Sequence, residues 1–180
     1  TNRGERVNEF VERAILTNDF NPLRFKLYGP MSKMIARRLV VENSLYFEER
    51  TVANDIWFSI TSGFYAQKVI ADRTMIYCLT VRKGSLELFV NKERCDERLA
   101  AAFRINDFLK GRGLLRYRFN VCVFLKFYSN FGLVVLLSRF MCICQHYQGA
   151  YLLFMEDLLE CFLKLFKKRK AGFKHVIGKN

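Results

Sequence analysis

The chain has 180 residues, 51% of them hydrophobic and 15% aromatic, with Phe alone contributing 18. That length and composition suffice for a domain with its own apolar core and exclude intrinsic disorder over most of the chain. A formal charge of +13 calls for an anionic partner: a membrane surface, a nucleic acid or the phosphates of a nucleotide substrate.

Residues Thr1–Asn18 carry Val7, Phe10, Val11, Ala14 and Ile15 at the spacing of one helix face. Asp19–Tyr28 has turn chemistry in Asn21-Pro22, and Gly29-Pro30 follows, so this stretch is expected to be a loop. Pro30–Val41 reads as a turn into a helix with Lys33, Arg37 and Arg38. Both prolines of the chain lie in this early part, which leaves long helices open to the remainder.

A short apolar and acidic run, Leu45-Tyr46-Phe47-Glu48-Glu49, precedes Asn54-Asp55-Ile56-Trp57-Phe58. Asn54 or Asp55 can cap a helix that ends near Tyr65, because a short polar side chain reaches the free amides of the first turn. Lys68–Ala71 and Met75–Val81 are β-prone and predict two short strands joined through Asp72-Arg73. A basic turn, Arg82-Lys83-Gly84-Ser85, closes the region.

Asn91–Lys110 predicts an amphipathic helix with Leu99, Ala102, Phe103 and Leu109 on one face, ended by Gly111 and Gly113. Arg116–Tyr147 mixes strand-like alternation with helical spacing, and two packed helices broken near Ser129–Gly132 are expected. Lys126 and Arg139 bracket an uncharged run shorter than the about 20 residues a bilayer core requires, which disfavours a membrane span. Tyr151–Arg169 predicts a helix whose stripe comprises Leu152, Met155, Leu159, Phe162, Leu163 and Phe166. Its acids lie toward the start and its lysines at the end, the order that complements the helix dipole. From Cys161 onward there are seven Lys or Arg and no acid. Most amphipathic helices face their own core, so the stripe is expected to pack inward while the basic cluster meets anionic lipid. The six cysteines form no C-x-x-C and no zinc spacing, which reads as buried free thiols in a reducing compartment.

Sugar transfer with inversion needs one carboxylate to take the proton of the attacking acceptor hydroxyl and positive charge on the departing diphosphate. Asp55 at a helix start can supply the first, although a plain helix cap is the commoner role of Asp there. Pro30-Met31-Ser32-Lys33-Met34, then Phe47-Glu48-Glu49, Asn54-Asp55 with Phe58, and Tyr77 through Arg82 with Ser85-Leu86 follow one another in this order. The series resembles the acceptor-side half of family-2 glycosyltransferases, over roughly Leu27 to Leu86. That family has a P-W-x-K-L-like approach, an F-D-E, an E-D pair followed by an aromatic, and a strand ending in an R-x-x-S turn. Asn54 replaces the Glu of the acidic pair, and Met31 replaces the usual Trp.

The resemblance implies an α/β fold: the helix-rich C-terminal portion of a GT-A glycosyltransferase, with a small mixed sheet followed by long helices. Residues 1–90 would be the acceptor-side part and 91–180 a helical region with a basic tail. It implies Asp55 as catalytic base and Lys33, Asn54, Arg82 and Ser85 as substrate-binding residues. The expected partners are a nucleotide-sugar donor and a glycan or lipid-linked acceptor. A divalent metal, Mg or Mn, is implied for a full-length enzyme, held by a D-x-D motif in a nucleotide-binding half. Nothing in Thr1–Asp19 resembles that half, so the chain is expected to start after it and to be inactive alone. The expected location is cytoplasmic, peripheral on the inner face of the membrane. The competing reading is a non-catalytic basic domain that binds a membrane surface. Nucleic acid is the weaker partner, since no helix-turn-helix, zinc finger or RNA-binding sheet signature accompanies the charge.

Overall fold

The computed structural model describes residues 2–74, 76 and 91–163. They form eight α-helices: α1 (Asn2–Thr17), α2 (Asn21–Phe25), α3 (Arg37–Glu42), α4 (Ile56–Tyr65), α5 (Lys92–Lys110), α6 (Leu125–Tyr128), α7 (Leu133–His146) and α8 over 151–163. Short 3-10 turns occupy Leu115–Tyr117, Val121–Phe124 and Ser129–Phe131. Two compact units result, Thr1–Arg118 and Phe119–Asn180, so α5 belongs with the first.

The expected mixed sheet is not found: among the described residues no strand occurs, and what they form is all-α rather than α/β. Lys68–Ala71 has no regular secondary structure, and Ile70 is 75% exposed. β-propensity expresses packing on a pleated surface, and without a neighbouring strand it does not order the backbone. Side chains close this segment instead. Asp72 Oδ1 accepts from Thr74 N at 2.6 Å, and Arg73 makes a bidentate ion pair with Glu12 of α1. The second expected strand, Met75–Val81, lies outside the described residues apart from Ile76.

In the first unit α4 is the central packing element. Phe58 and Ile60 are buried with Leu99, Ile105 and Leu109 of α5 and with Leu23 and Phe25 of α2, each large side chain contributing about 1.5–3 kcal/mol by its removal from water. The loop expected at Asp19–Tyr28 contains the single-turn helix α2, started by Pro22, whose missing N–H costs nothing in a first turn. Helices α2 and α4 touch backbone to backbone at Gly63, where a Cβ would stand 2.5 Å from the Arg24 carbonyl oxygen. Arg24 Nη1 also donates to the Gly63 and Ala66 carbonyls, at 3.2 and 2.7 Å, and so satisfies the end of α4 with a cation. Helix α5 is capped by Asn91, whose side chain accepts from Arg94 N at 2.9 Å. Past its end the left-handed residue is Gly113 (φ 70°).

In the second unit the break expected near Ser129–Gly132 falls at Gly132, whose φ of 95° suits glycine. Tyr128, Ile143, Val121 and Cys122 form its small core. Asn120 ties α8 down: its amide donates to Asp157 O and Glu160 Oε2, both at 2.8 Å, while its oxygen accepts from Cys122 N. The Tyr147 hydroxyl donates to the buried Asp157 carboxylate. The apolar stripe of α8 does not pack inward as expected. Leu152, Met155, Leu159, Phe162 and Leu163 are exposed, because the inward face is the one that carries Asp157 and its hydrogen bonds. Among the described residues no helix is long and apolar enough to cross a membrane.

Candidate functional site

Asp55 stands at the N-cap of α4, and the helix runs to Tyr65 as its sequence predicts. Its carboxylate does not cap. The Asp55 backbone is already helical (φ −90°, ψ −17°), whereas a capping side chain needs an extended backbone to fold back over the first turn. Among the described residues no donor bonds this carboxylate. One turn on, Ser59 shares its face of α4, the i and i+4 positions of a helix, and Ser59 N donates to Asp55 O at 3.0 Å.

Lys33 lies against the same face. Its Nζ donates to Ser59 Oγ at 2.6 Å, to Leu27 O at 2.7 Å and, more weakly, to Ser59 O at 3.4 Å, while Ser59 Oγ donates onward to Leu27 O at 3.3 Å. Every acceptor is neutral. Burial therefore pulls the Lys33 ammonium down to about 8 from its ordinary 10.5, and the negative charge of Asp55 partly opposes that drop.

The loop ahead of Asp55 is fixed from two sides by α5. Glu48, 7% exposed, is paired with Arg104 of α5 and, at 3.2 Å, with Arg50. Glu48 N donates to Asn54 O at 3.0 Å, joining the loop's two limbs. Seven residues before Arg104 on α5, Glu97 Oε2 accepts from Thr51 N, Thr51 Oγ1 and Val52 N at 3.2, 2.9 and 3.3 Å. These bonds, led by that of the Thr51 hydroxyl, hold the Glu97 carboxyl below its usual range. Ala53, held between the two clamps, takes a left-handed φ of 59°, a conformation that costs a non-glycine residue about 1 kcal/mol or more. The chain thus spends strain two residues before Asp55.

Aromatic side chains complete the wall. Phe47 stacks on Phe58 with centroids 4.3 Å apart. Trp57 meets the edge of Phe108 at 5.2 Å and lies under the Arg104 guanidinium at 4.0 Å, so its ring is engaged in packing. Arg104 also donates to the Tyr46 hydroxyl at 3.1 Å. A shallow depression on this loop is lined by Tyr46, Glu48, Glu49, Arg50 and Arg104; Asp55 is not among its lining residues.

Of the residues expected to act together, the fold brings Lys33 and Asp55 to one face of α4 and leaves Asn54 exposed beside them. Arg82 and Ser85 lie outside the described residues. Reading the sequence passed over Ser59, Glu97 and Arg104. Ser59 had a signal, a lone small hydroxyl one turn after Asp55 in the apolar run Ile56-Trp57-Phe58-Ser59-Ile60. Glu97 and Arg104 had none, since each looks like an ordinary charge on a solvated helix.

The divalent ion implied for a full-length enzyme finds no ligand set here. Among the described residues no three His, Cys, Asp or Glu side chains converge. In comparisons with known proteins, no family model, no curated protein and no solved structure matches this chain.

Proposed function

We propose that the first unit is the acceptor-side part of an inverting glycosyltransferase in which Asp55 is the general base. The observation that supports it best is a helix-start carboxylate left without a capping bond. Helix caps of this kind normally spend the carboxylate on backbone amides, and here a strained loop and two clamps from α5 hold it unspent.

In this reading an acceptor hydroxyl docks against Asp55. The carboxylate takes its proton as the oxygen attacks the anomeric carbon of a nucleotide sugar, and the nucleoside diphosphate leaves with the bonding electron pair. Asn54, exposed beside Asp55, would orient the acceptor by hydrogen bonding in this reading. Lys33 has its donors engaged by Leu27 and Ser59, so it acts as a positioning residue through its charge. Arg82 and Ser85 are assigned the diphosphate side on sequence resemblance alone. Transfer also requires a nucleotide-binding portion.

The test is Asp55→Asn in a protein that includes such a portion. Turnover should fall by roughly two to four orders of magnitude, the usual worth of a general base, with donor binding unchanged. Turnover near that of the unaltered protein would overturn the assignment.

A further inference from the structure

We propose that the second unit docks on the surface of an anionic lipid bilayer through the outward apolar faces of α7 and α8. On α7, Leu133, Val134, Leu137 and Met141 are exposed, Val134 to 82%, and no charged side chain interrupts them at Ser138 or Gln145. On α8, Leu152 is 82% exposed, and Met155, Leu159, Phe162 and Leu163 extend the same face. The two helices pack on each other through Phe140 and Phe154, centroids 6.2 Å apart, so neither outward face is needed to hold the pair together. Single exposed apolar residues are ordinary on a protein surface, but faces of this extent mark a binding surface.

The occupant is argued from charge and length. Helix α8 runs straight into the sequence Lys164 to Lys174, six cations with no acid. An apolar face followed at once by cations is the pattern of a segment lying in the headgroup layer, where each cation adds about 1 kcal/mol near anionic lipid. Of the three acids of α8, Asp157 is buried against Tyr147 and Glu160 bonds Asn120, while Glu156 is exposed on the outward side and is outnumbered by the six cations that follow. At 14 residues α7 is far shorter than a bilayer is thick, which makes the mode interfacial. This inference stands on the second unit alone and is independent of Asp55.

The 180-residue chain is to be sedimented with phosphatidylcholine vesicles with and without phosphatidylglycerol, at low and high salt. Binding to the phosphatidylglycerol vesicles is expected, with a fraction surviving high salt. The triple variant Leu137→Glu, Leu152→Glu, Leu159→Glu should partition at least roughly tenfold less while keeping its circular dichroism. Replacing Lys167, Lys168, Arg169 and Lys170 by Ser should remove the salt-sensitive fraction only. A second probe covers a triple variant that fails to fold: Leu152→Trp should gain emission quenched by brominated acyl chains. Absence of binding at low salt, binding unchanged in the folded triple variant, or no quenching of the new Trp would overturn the proposal. So would a dimer in solution that the triple variant converts to monomer, which would assign the faces to a second copy.

Discussion

The two units treat amphipathic helices in opposite ways. In Thr1–Arg118, α5 turns Leu99, Ala102 and Leu109 inward and uses its outer charges, Glu97 and Arg104, to hold a loop. In Phe119–Asn180, α8 turns Asp157 inward and Leu152, Leu159 and Leu163 outward. Hydrophobic periodicity tells which residues share a face but not what that face meets. The second unit offers α8 a polar anchor in Asn120 and Tyr147, and those hydrogen bonds orient the helix against its own stripe.

The sharpest way to break this contrast is to delete a leucine in each unit. Leu99→Ala removes a side chain only 3% exposed and should cost about 2–5 kcal/mol. Urea unfolding followed by Trp57, the chain's single Trp, reports it for the first unit. Leu152→Ala should change stability by less than about 0.5 kcal/mol in a circular-dichroism melt. A comparable loss at Leu152 would mean that α8 packs inward after all.

Next in size is Arg104→Leu, which leaves buried Glu48 with Arg50 alone. A loss of about 2–3 kcal/mol is expected, below the full cost of breaking a buried pair because Arg104 is itself part-exposed. Glu48→Leu on top of it should recover part of that loss. Gly63→Ala should cost about 1–3 kcal/mol by the same Trp57 readout, because its Cβ meets backbone that cannot swing aside.

The last effect is a pH dependence confined to the first unit. Lys33 titrates near 8 when folded and near 10.5 when unfolded. Between those values the unfolded chain binds more protons, so stability rises with pH through that window. Lys33→Met should flatten the rise. A stability falling with pH there in the unaltered chain, or a rise that survives the substitution, would show that Lys33 is not the buried cation described.

What the sequence made legible follows the range of each signal. Asp55 opening a helix to Tyr65, the helix over Asn91–Lys110, and the break at Gly132 are local, set by side chains within a turn of where they act. The sheet was misjudged because Lys68–Ala71 is β-prone only if something lies beside it. The face of α8 was misjudged because its partners, Asn120 and Tyr147, sit 37 and 10 residues from Asp157. At the candidate site Asp55 could be found from sequence order. Its supports could not, since Glu97 and Arg104 reach loop residues 46 and 56 positions away.

Those two side chains have one more implication. Glu97 and Arg104 are seven residues apart on one helix, two turns or about 10 Å along a single rod, and they grip the loop at Thr51 and at Glu48. Sliding or rolling α5 would therefore carry both grips together and re-aim Asp55 without altering any residue beside it. Under the proposed function, acceptor preference then becomes tunable from a distance. Phe108 of α5, which meets Trp57 and Phe64 of α4, bears on how the rod rides on α4, and changing its size is a route by which the aim of Asp55 could shift while Asp55 itself is left untouched.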